Sequence, residues 1–128
     1  MNSEKIGIFG ENIASYYLEK KGYKILDRNY TKKWSQGPKK GEIDIVAKKD
    51  NLISFVEVKT NSDKIGVCFS PEERVDFRKK RQLIKIAQNW LSDKKIPLDS
   101  RWQIDVISIK IDLNKKKAKI RHFRNSVC

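Results

Sequence analysis

Two neighbouring apolar segments with charged residues inside them constrain this chain more than any other feature. The hydrophobic pattern predicts strands at 42–48 and 52–60, and the polar residues between them predict a tight turn that folds them into a hairpin. Side chains alternate between the two faces of a strand, so Glu57 and Lys59 point the same way. Hairpin pairing could bring Asp44 onto that face. Two carboxylates and a lysine placed together suggest a metal-dependent site.

The chemistry of these three side chains supports that suggestion. An ionised carboxylate buried among apolar residues is costly unless it has a partner, a hydrogen-bond network or a metal. Mg²⁺ prefers oxygen ligands, so Asp44, Glu57 and a substrate phosphate oxygen would form a site for it, with Mn²⁺ as a substitute. The Lys59 ammonium would orient an attacking water or stabilise charge on a phosphate. The alternative is an ordinary Glu57–Lys59 ion pair on a solvated strand.

Length and charge define the class of protein. The chain has 128 residues, of which 38% are hydrophobic, and this predicts one domain spanning residues 1–128. Lys and Arg total 29 against 16 acids, a formal charge of +13, which predicts a polyanionic partner such as DNA or RNA. The alternative is that the lysines only solvate the surface.

The cysteines, the histidine and the N-terminal sequence exclude other classes. Cys68 and Cys128 lack the spacing of a zinc site or a disulfide framework, which predicts free thiols and a cytoplasmic location. His122 is the sole histidine, which argues against a histidine-based metal site. The N-terminus lacks the apolar core of a signal peptide, and no later run is long enough to span a bilayer, so no membrane partner is expected.

Hydrophobic spacing along the chain predicts a mixed α/β (α+β) domain of two helices and five strands. The expected order is α-β-β-β-α-β-β. The elements are a helix over 3–21, a strand over 23–26, the two hairpin strands, a helix starting in a capping box at Ser70-Pro71 and ending before Pro97, and strands over 101–113 and 118–123.

The first helix carries one candidate acid, Glu11. Its neighbours Gly7, Gly10 and Ala14 are small and would let the helix approach the sheet closely. Glu11 would then supply a further carboxylate ligand, directly or through water. The alternative is an exposed helical glutamate, since glutamate is seldom buried.

Candidate nucleic-acid contacts lie in a polar loop and on the second helix. Lys39 and Lys40 belong to the loop over 31–40 and are placed to approach a phosphate backbone, and Trp34 in the same loop is a candidate for stacking on bases. Arg78 belongs to the basic remainder of the second helix. Trp90 and Trp102 occupy patterned positions and are predicted to be core residues instead.

With these residues placed, the chain resembles the YraN-like family of small bacterial proteins. That family belongs to the PD-(D/E)XK nuclease superfamily and is similar to archaeal Holliday junction resolvases. The resemblance covers nearly the whole chain. It is carried by Gly10-Glu11-Asn12-Ile13-Ala14, Gly22-Tyr23, Arg28-Asn29-Tyr30, Gly41-Glu42-Ile43-Asp44, Phe55-Val56-Glu57-Val58-Lys59-Thr60, Ser70-Pro71-Glu72-Glu73-Arg74-Val75, Lys79 and Asp105-Val106.

The resemblance implies a restriction-endonuclease-like fold, with a central mixed sheet of about five strands flanked by helices, and a set of roles. Asp44 and Glu57 would bind the divalent metal, Lys59 would assist catalysis and Glu11 would complete the site. Lys79, on the second helix, would contact phosphate. Symmetric cutting of a four-way junction needs two active sites, so the resemblance also implies a homodimer.

Four positions leave questions open. The family usually has arginine where this chain has Asn61 and Gln103, so substrate contacts at these positions do not carry over. Glu42 belongs to the family signature and either binds metal or supports structure. Asp105 lies inside an apolar strand and is expected to receive hydrogen bonds or a basic partner rather than act as a third ligand.

Two functions from different classes follow. The first is a metal-dependent nuclease that hydrolyses phosphodiester bonds in DNA, including branched or structured DNA, with RNA as a weaker candidate substrate. The second is a nucleic-acid-binding module that keeps the nuclease fold without catalysis, with binding dominated by phosphate contacts.

Overall fold

The order of elements in the structure confirms the predicted α-β-β-β-α-β-β arrangement. The structure, a computed structural model, describes residues 3–31, 42–61, 77–97 and 99–125, and no side chain of residues 3 or 77–79. Its elements are α1 (Ser3–Lys20), β1 (Lys24–Tyr30), β2 (Ile43–Lys49), β3 (Leu52–Thr60), α2 (Phe77–Asp93), β4 (Trp102–Asp112) and β5 (Lys117–Phe123). Neither helix within these ranges is long and apolar enough to cross a bilayer.

The five strands form one mixed sheet in the order β1-β2-β3-β4-β5. Strands β3 and β4 run parallel and the other neighbours are antiparallel. A parallel pair needs a long crossover connection, and α2 lies in the connection between β3 and β4. The predicted hairpin is confirmed, with β2 and β3 paired from Lys49↔Leu52 to Ile45↔Val56.

One helix covers each face of the sheet. On the α1 face the buried residues are Ala14, Leu18, Tyr23, Ile45, Ala47, Val56, Ile107 and Ile109. On the α2 face they are Tyr30, Ile43, Val46, Ile53, Phe55, Leu83, Ile86, Ala87, Trp90, Leu91 and Ile104. Phe55 faces α2, so alternation along β3 directs Glu57 and Lys59 to that face as well.

Both helices end in the same hydrogen-bonded motif. Gly22 has φ of 93°, and its N–H bonds the Glu19 carbonyl while the Tyr23 N–H bonds the Leu18 carbonyl at 2.9 Å. At the end of α2, Lys95 takes the left-handed position with φ of 57°. The predicted start of the second helix at Ser70 lies outside the described residues.

The predicted extent of the first strand is wrong. Strand β1 runs from Lys24 to Tyr30 rather than over 23–26. Its second half is polar, and its pairing with β2 shifts register after Ile25, which obscures the strand pattern. Asn29 has φ of 54°, so alternation breaks there and Tyr30 enters the core on the α2 face.

Helix α1 approaches β3 closely at Gly10. A Cβ added at Gly10 would overlap the Thr60 hydroxyl and lie 2.9 Å from the Thr60 Cβ, whereas one added at Gly7 would meet nothing within 4 Å. The predicted role of small residues is therefore confirmed for Gly10, and for Ala14, which is fully buried. It is wrong for Gly7.

Gly10→Ala should lower the free energy of unfolding by about 1–3 kcal/mol, because the added methyl group forces α1 away from β3. Gly7→Ala is the matched control on the same helix and should raise that free energy by up to about 1 kcal/mol through helix propensity. Urea unfolding of both variants measures the difference. Equal effects of the two substitutions would contradict the close approach.

Candidate metal centre at the fork of the sheet

The sheet splits between β2 and β3 at one end. Their pairing stops at Ile45↔Val56, yet β2 continues to pair with β1 as far as Ile43 and β3 continues to pair with β4 as far as Thr60. The two central strands therefore diverge, and we call the gap between them the fork. Backbone groups in such a gap need partners other than the neighbouring strand.

Asp44 occupies the fork. Its Oδ2 accepts a hydrogen bond from the Val58 N–H at 2.7 Å, so a side chain of β2 replaces the missing backbone contact with β3. Carboxylate oxygens of Glu11, Glu42 and Asp44 all lie within 4.8 Å of one another, and each of the three residues is partly buried. A helix on one face of the sheet and the start of β2 thus bring three acids together.

The surroundings of Asp44 favour its neutral form. The pKa of Asp44 is raised from 3.8 to about 7, chiefly by burial and against the opposing effect of the Val58 hydrogen bond. The negative charges of Glu11, Glu42 and Glu57 contribute to the same rise. A cation at the fork would relieve the repulsion, and a donor set made only of carboxylate oxygens suits a hard divalent ion. The residues present therefore fit a divalent metal.

Two residues of β1 hold Glu11 in place. Arg28 Nη2 lies 3.9 Å from Glu11 Oε2 and donates to Asn12 Oδ1 at 2.9 Å. The side-chain amide of Asn29, with its nitrogen turned toward Glu11, donates to both carboxylate oxygens at 3.1 and 3.2 Å. The sequence reasoning gave these two residues no individual role: the Arg28-Asn29-Tyr30 motif carried the family resemblance, but no local pattern linked it to Glu11.

The structure brings some of the predicted site residues together. Asp44 and Glu11 belong to the group of three acids, and Glu42, whose role was open, completes it. Glu57 is not one of the three, although its charge acts on Asp44. Glu57 and Lys59 are partly buried and follow the last β2–β3 pair, on the α2 face. Their roles as metal ligand and catalytic lysine stay predictions.

The predicted nucleic-acid contacts cannot be placed in the same way. Trp34, Lys39 and Lys40 lie outside the described residues. Arg78 and Lys79 belong to α2, and their side chains lie outside the described part of the chain.

Asp105 is a structural acid, as expected. It is fully buried, its Oδ1 accepts hydrogen bonds from Gln103 Nε2 at 2.8 Å and the Asn125 N–H at 2.9 Å, and its Oδ2 lies 2.8 Å from His122 Nε2. The Tyr17 hydroxyl lies 3.3 Å from the other ring nitrogen of His122. This network joins β4, β5 and α1 and includes none of the three acids grouped at the fork.

The two positions where arginine was expected also have structural roles. Gln103 donates to Asp105, as described above. The Asn61 N–H donates to the Ile109 carbonyl at 2.6 Å, and its side-chain oxygen accepts from the Ile111 N–H at 2.8 Å. Both side chains therefore form hydrogen bonds with residues of β4.

The core assignment of two tryptophans is confirmed. Trp90 is 2% exposed and Trp102 packs against the same cluster. Each ring meets Phe55 edge-on with centroids 5.6 Å apart. The Trp90 indole N–H donates to Asp27 Oδ2 at 3.1 Å, which ties α2 to β1.

Comparison with known proteins gives one consistent match. The model of UPF0102, an uncharacterised protein family, matches residues 10–109. A UPF0102 protein of Syntrophomonas wolfei is 43% identical over 128 residues, covering 98% of this chain and 99% of that protein. One of Alkaliphilus oremlandii is 39% identical over 124 residues, covering 97% and 98%. One of Caldanaerobacter subterraneus is 38% identical over 130 residues, covering 98% and 97%.

Proposed function

The chain belongs to the UPF0102 family, the YraN family that its motifs resemble, and from this and the fork we propose that it is a divalent-metal-dependent nuclease. Its reaction would be hydrolysis of phosphodiester bonds in DNA, including branched or structured DNA. The observation that carries the proposal is the acidic group of Glu11, Glu42 and Asp44 at the fork, with Glu57 and Lys59 on the adjoining strand.

The fork offers oxygen ligands for Mg²⁺, or for Mn²⁺ in its place. Asp44 would hold the ion with Glu11 and Glu42, and Glu57 is the further ligand predicted from the sequence. Such an ion supplies Lewis-acid polarisation of a phosphate and lowers the pKa of a bound water. The Val58 N–H, Arg28 and Asn29 keep the Asp44 and Glu11 carboxylates in position.

Lys59 is the residue proposed to act on the substrate. It lies two residues beyond Glu57 on the same face of β3, so both side chains leave the strand toward the same space. A lysine ammonium there would stabilise negative charge on the phosphate oxygens as the transition state forms, or orient the attacking water. Lys59 is the only basic residue of β3, a strand that lies entirely within the described residues.

The substrate class rests on charge and on the resemblance. A formal charge of +13 favours a polyphosphate partner. The similarity to junction resolvases favours branched DNA. Symmetric cutting of a junction needs two active sites, so the proposal includes a homodimer.

A specific observation favours the alternative of a binding module without catalysis. Asn61 and Gln103 stand where the family was expected to carry arginine, and both serve structural hydrogen bonds. If those arginines supply substrate contacts needed for chemistry, this chain would bind nucleic acid and not cut it. Its binding would then weaken steeply with salt and be indifferent to Mg²⁺.

Cleavage assays distinguish the two functions. Labelled linear duplex, single-stranded and four-way-junction DNA, and an RNA of matched length, are incubated with the protein in Mg²⁺, Mn²⁺ or EDTA. We expect cleavage in metal only, strongest on the junction. Glu57→Ala and Lys59→Ala should each reduce the rate by at least about 100-fold, since each removes a group that acts in the transition state.

Glu19→Gln is the matched control for Glu11→Gln. Both are glutamates of α1, but Glu19 is exposed and is not one of the three acids at the fork. Glu11→Gln should slow cleavage and Glu19→Gln should not. Cleavage unchanged in the Glu57 and Lys59 variants would refute the mechanism, and salt-sensitive binding with no cleavage of any substrate would establish the alternative.

A further inference from the structure

We propose that the β4–β5 hairpin is a phosphate-binding surface that guides a nucleic-acid strand to and from the fork. The inference rests on the proposed function in assuming a nucleic-acid substrate. Charged side chains on an edge strand also protect it against pairing with other chains, which is the ordinary role of such residues. We call this surface the basic hairpin, formed by Lys110, Lys115, Lys116, Lys117, Lys119, Arg121 and Arg124, with Asp112 as the one acid between them.

The pairing register of the sheet places Arg121 of the basic hairpin in line with Lys59, the proposed catalytic lysine. Lys59 pairs with Ser108 on β4, and Ser108 pairs with Arg121 on β5. Paired residues on neighbouring strands project from the same face. Arg121 therefore lies in one row with Lys59, about 10 Å away across two strand spacings.

Alternation along β5 places its cations on a single face. Lys117, Lys119 and Arg121 are two residues apart and share the α2 face, while Ile120 and His122 pack toward α1. The three cations are exposed. Protection of the sheet edge requires charge on β5. It does not require that this charge lie on the same face of the sheet as Lys59 and in register with it.

The hairpin also sets two cations directly opposite each other. Lys110 pairs with Lys119 across β4 and β5. A phosphate lying over this pair would contact both ammonium groups, which adds to the positive surface offered to a polyanion.

Binding affinity as a function of salt tests the basic hairpin. Anisotropy of a labelled DNA duplex and of a labelled four-way junction is measured in EDTA, where cleavage plays no part. Lys119→Gln/Arg121→Gln removes two phosphate contacts. The plot of log affinity against log salt should become less steep by about 1.8, and the affinity near 0.1 M salt should fall by about 10- to 100-fold.

Lys24→Gln/Lys48→Gln is the matched control. These two exposed lysines also face each other across paired strands, but at the end of β2 remote from the fork. The control should keep the wild-type slope. Lys119→Glu/Arg121→Glu is a second test variant that keeps the edge strand charged and so protects it against self-association.

The outcomes separate this inference from the proposed function. A loss of slope in both hairpin variants with a wild-type slope in the control supports the basic hairpin. Wild-type binding by the hairpin variants, or an equal loss in the control, overturns it while leaving a nucleic-acid partner in place. Failure of the wild-type protein to bind either probe would overturn the proposed function itself.

Discussion

Asp44→Asn is expected to raise the free energy of unfolding of the metal-free protein near pH 8 by up to about 4 kcal/mol. The Asp44 carboxyl has a pKa of about 7 in the folded protein against an ordinary 3.8, because burial and the neighbouring acids disfavour its charge. The folded state thus holds this proton more tightly than the unfolded chain does. The resulting stabilisation is complete below about pH 4 and is lost as the pH rises through about 7. Asparagine does not ionise, and its side-chain oxygen still accepts from the Val58 N–H.

Urea unfolding in EDTA across that pH range checks this prediction. The free energy of unfolding of the wild-type protein should fall as the pH rises, and that of Asp44→Asn should fall much less. Asp99→Asn is the control, because Asp99 is exposed and lies away from the fork beside Arg101. Parallel pH profiles for the wild-type protein and Asp44→Asn would show that Asp44 ionises normally and that burial and the neighbouring acids do not raise its pKa.

Asp105→Ala is expected to lower the free energy of unfolding by about 3–5 kcal/mol. The substitution removes the acceptor for Gln103 and the Asn125 N–H and leaves His122 without its carboxylate, all in a fully buried position. Because these contacts join β4 and β5 to the α1 face, the loss should appear as global unfolding. Urea unfolding monitored by circular dichroism measures it.

Asp105→Asn serves as the matched comparison. It keeps the shape of the side chain and one oxygen for Gln103 and Asn125, so it should cost clearly less than Asp105→Ala, about 1–2 kcal/mol. Cleavage should persist in Asp105→Asn under conditions where the protein is folded, because Asp105 is not at the fork. An Asp105→Ala variant as stable as the wild-type protein would contradict the structural role.

Local patterns were sufficient for most of the fold. Helix α1 was predicted from the spacing of Ile6, Phe9, Ile13 and Tyr17, although Phe9 is 43% exposed and the fully buried hydrophobic residues of the helix are Ala14 and Leu18. The apolar run of β3 predicted that strand, whose residues 53–56 are all buried. The end of β1 escaped prediction because it lacks such a local pattern. Its polar residues and the left-handed Asn29 interrupt the alternation, and the strand is defined instead by its pairing with β2.

The acidic character of the candidate site was predictable, but its geometry was not. The burial cost of lone carboxylates pointed to Asp44 and Glu57, and the same reasoning correctly assigned Asp105 to a hydrogen-bond network. The fork could not be foreseen, because it depends on where β2 and β3 stop pairing. The contacts of Arg28 and Asn29 with Glu11 join residues far apart in the sequence, and no local pattern encodes them.

The most direct test of the central claim is a titration with Mn²⁺ followed by electron paramagnetic resonance, comparing the wild-type protein with Asp44→Asn near pH 8. The signal of free Mn²⁺ diminishes as the ion binds, so the titration counts sites and gives their affinity. If the fork is the metal centre, the wild-type protein will bind Mn²⁺ in competition with Mg²⁺ and the folded Asp44→Asn variant will lose that binding. Equal Mn²⁺ binding by the two proteins, or none by the wild-type protein, would contradict it.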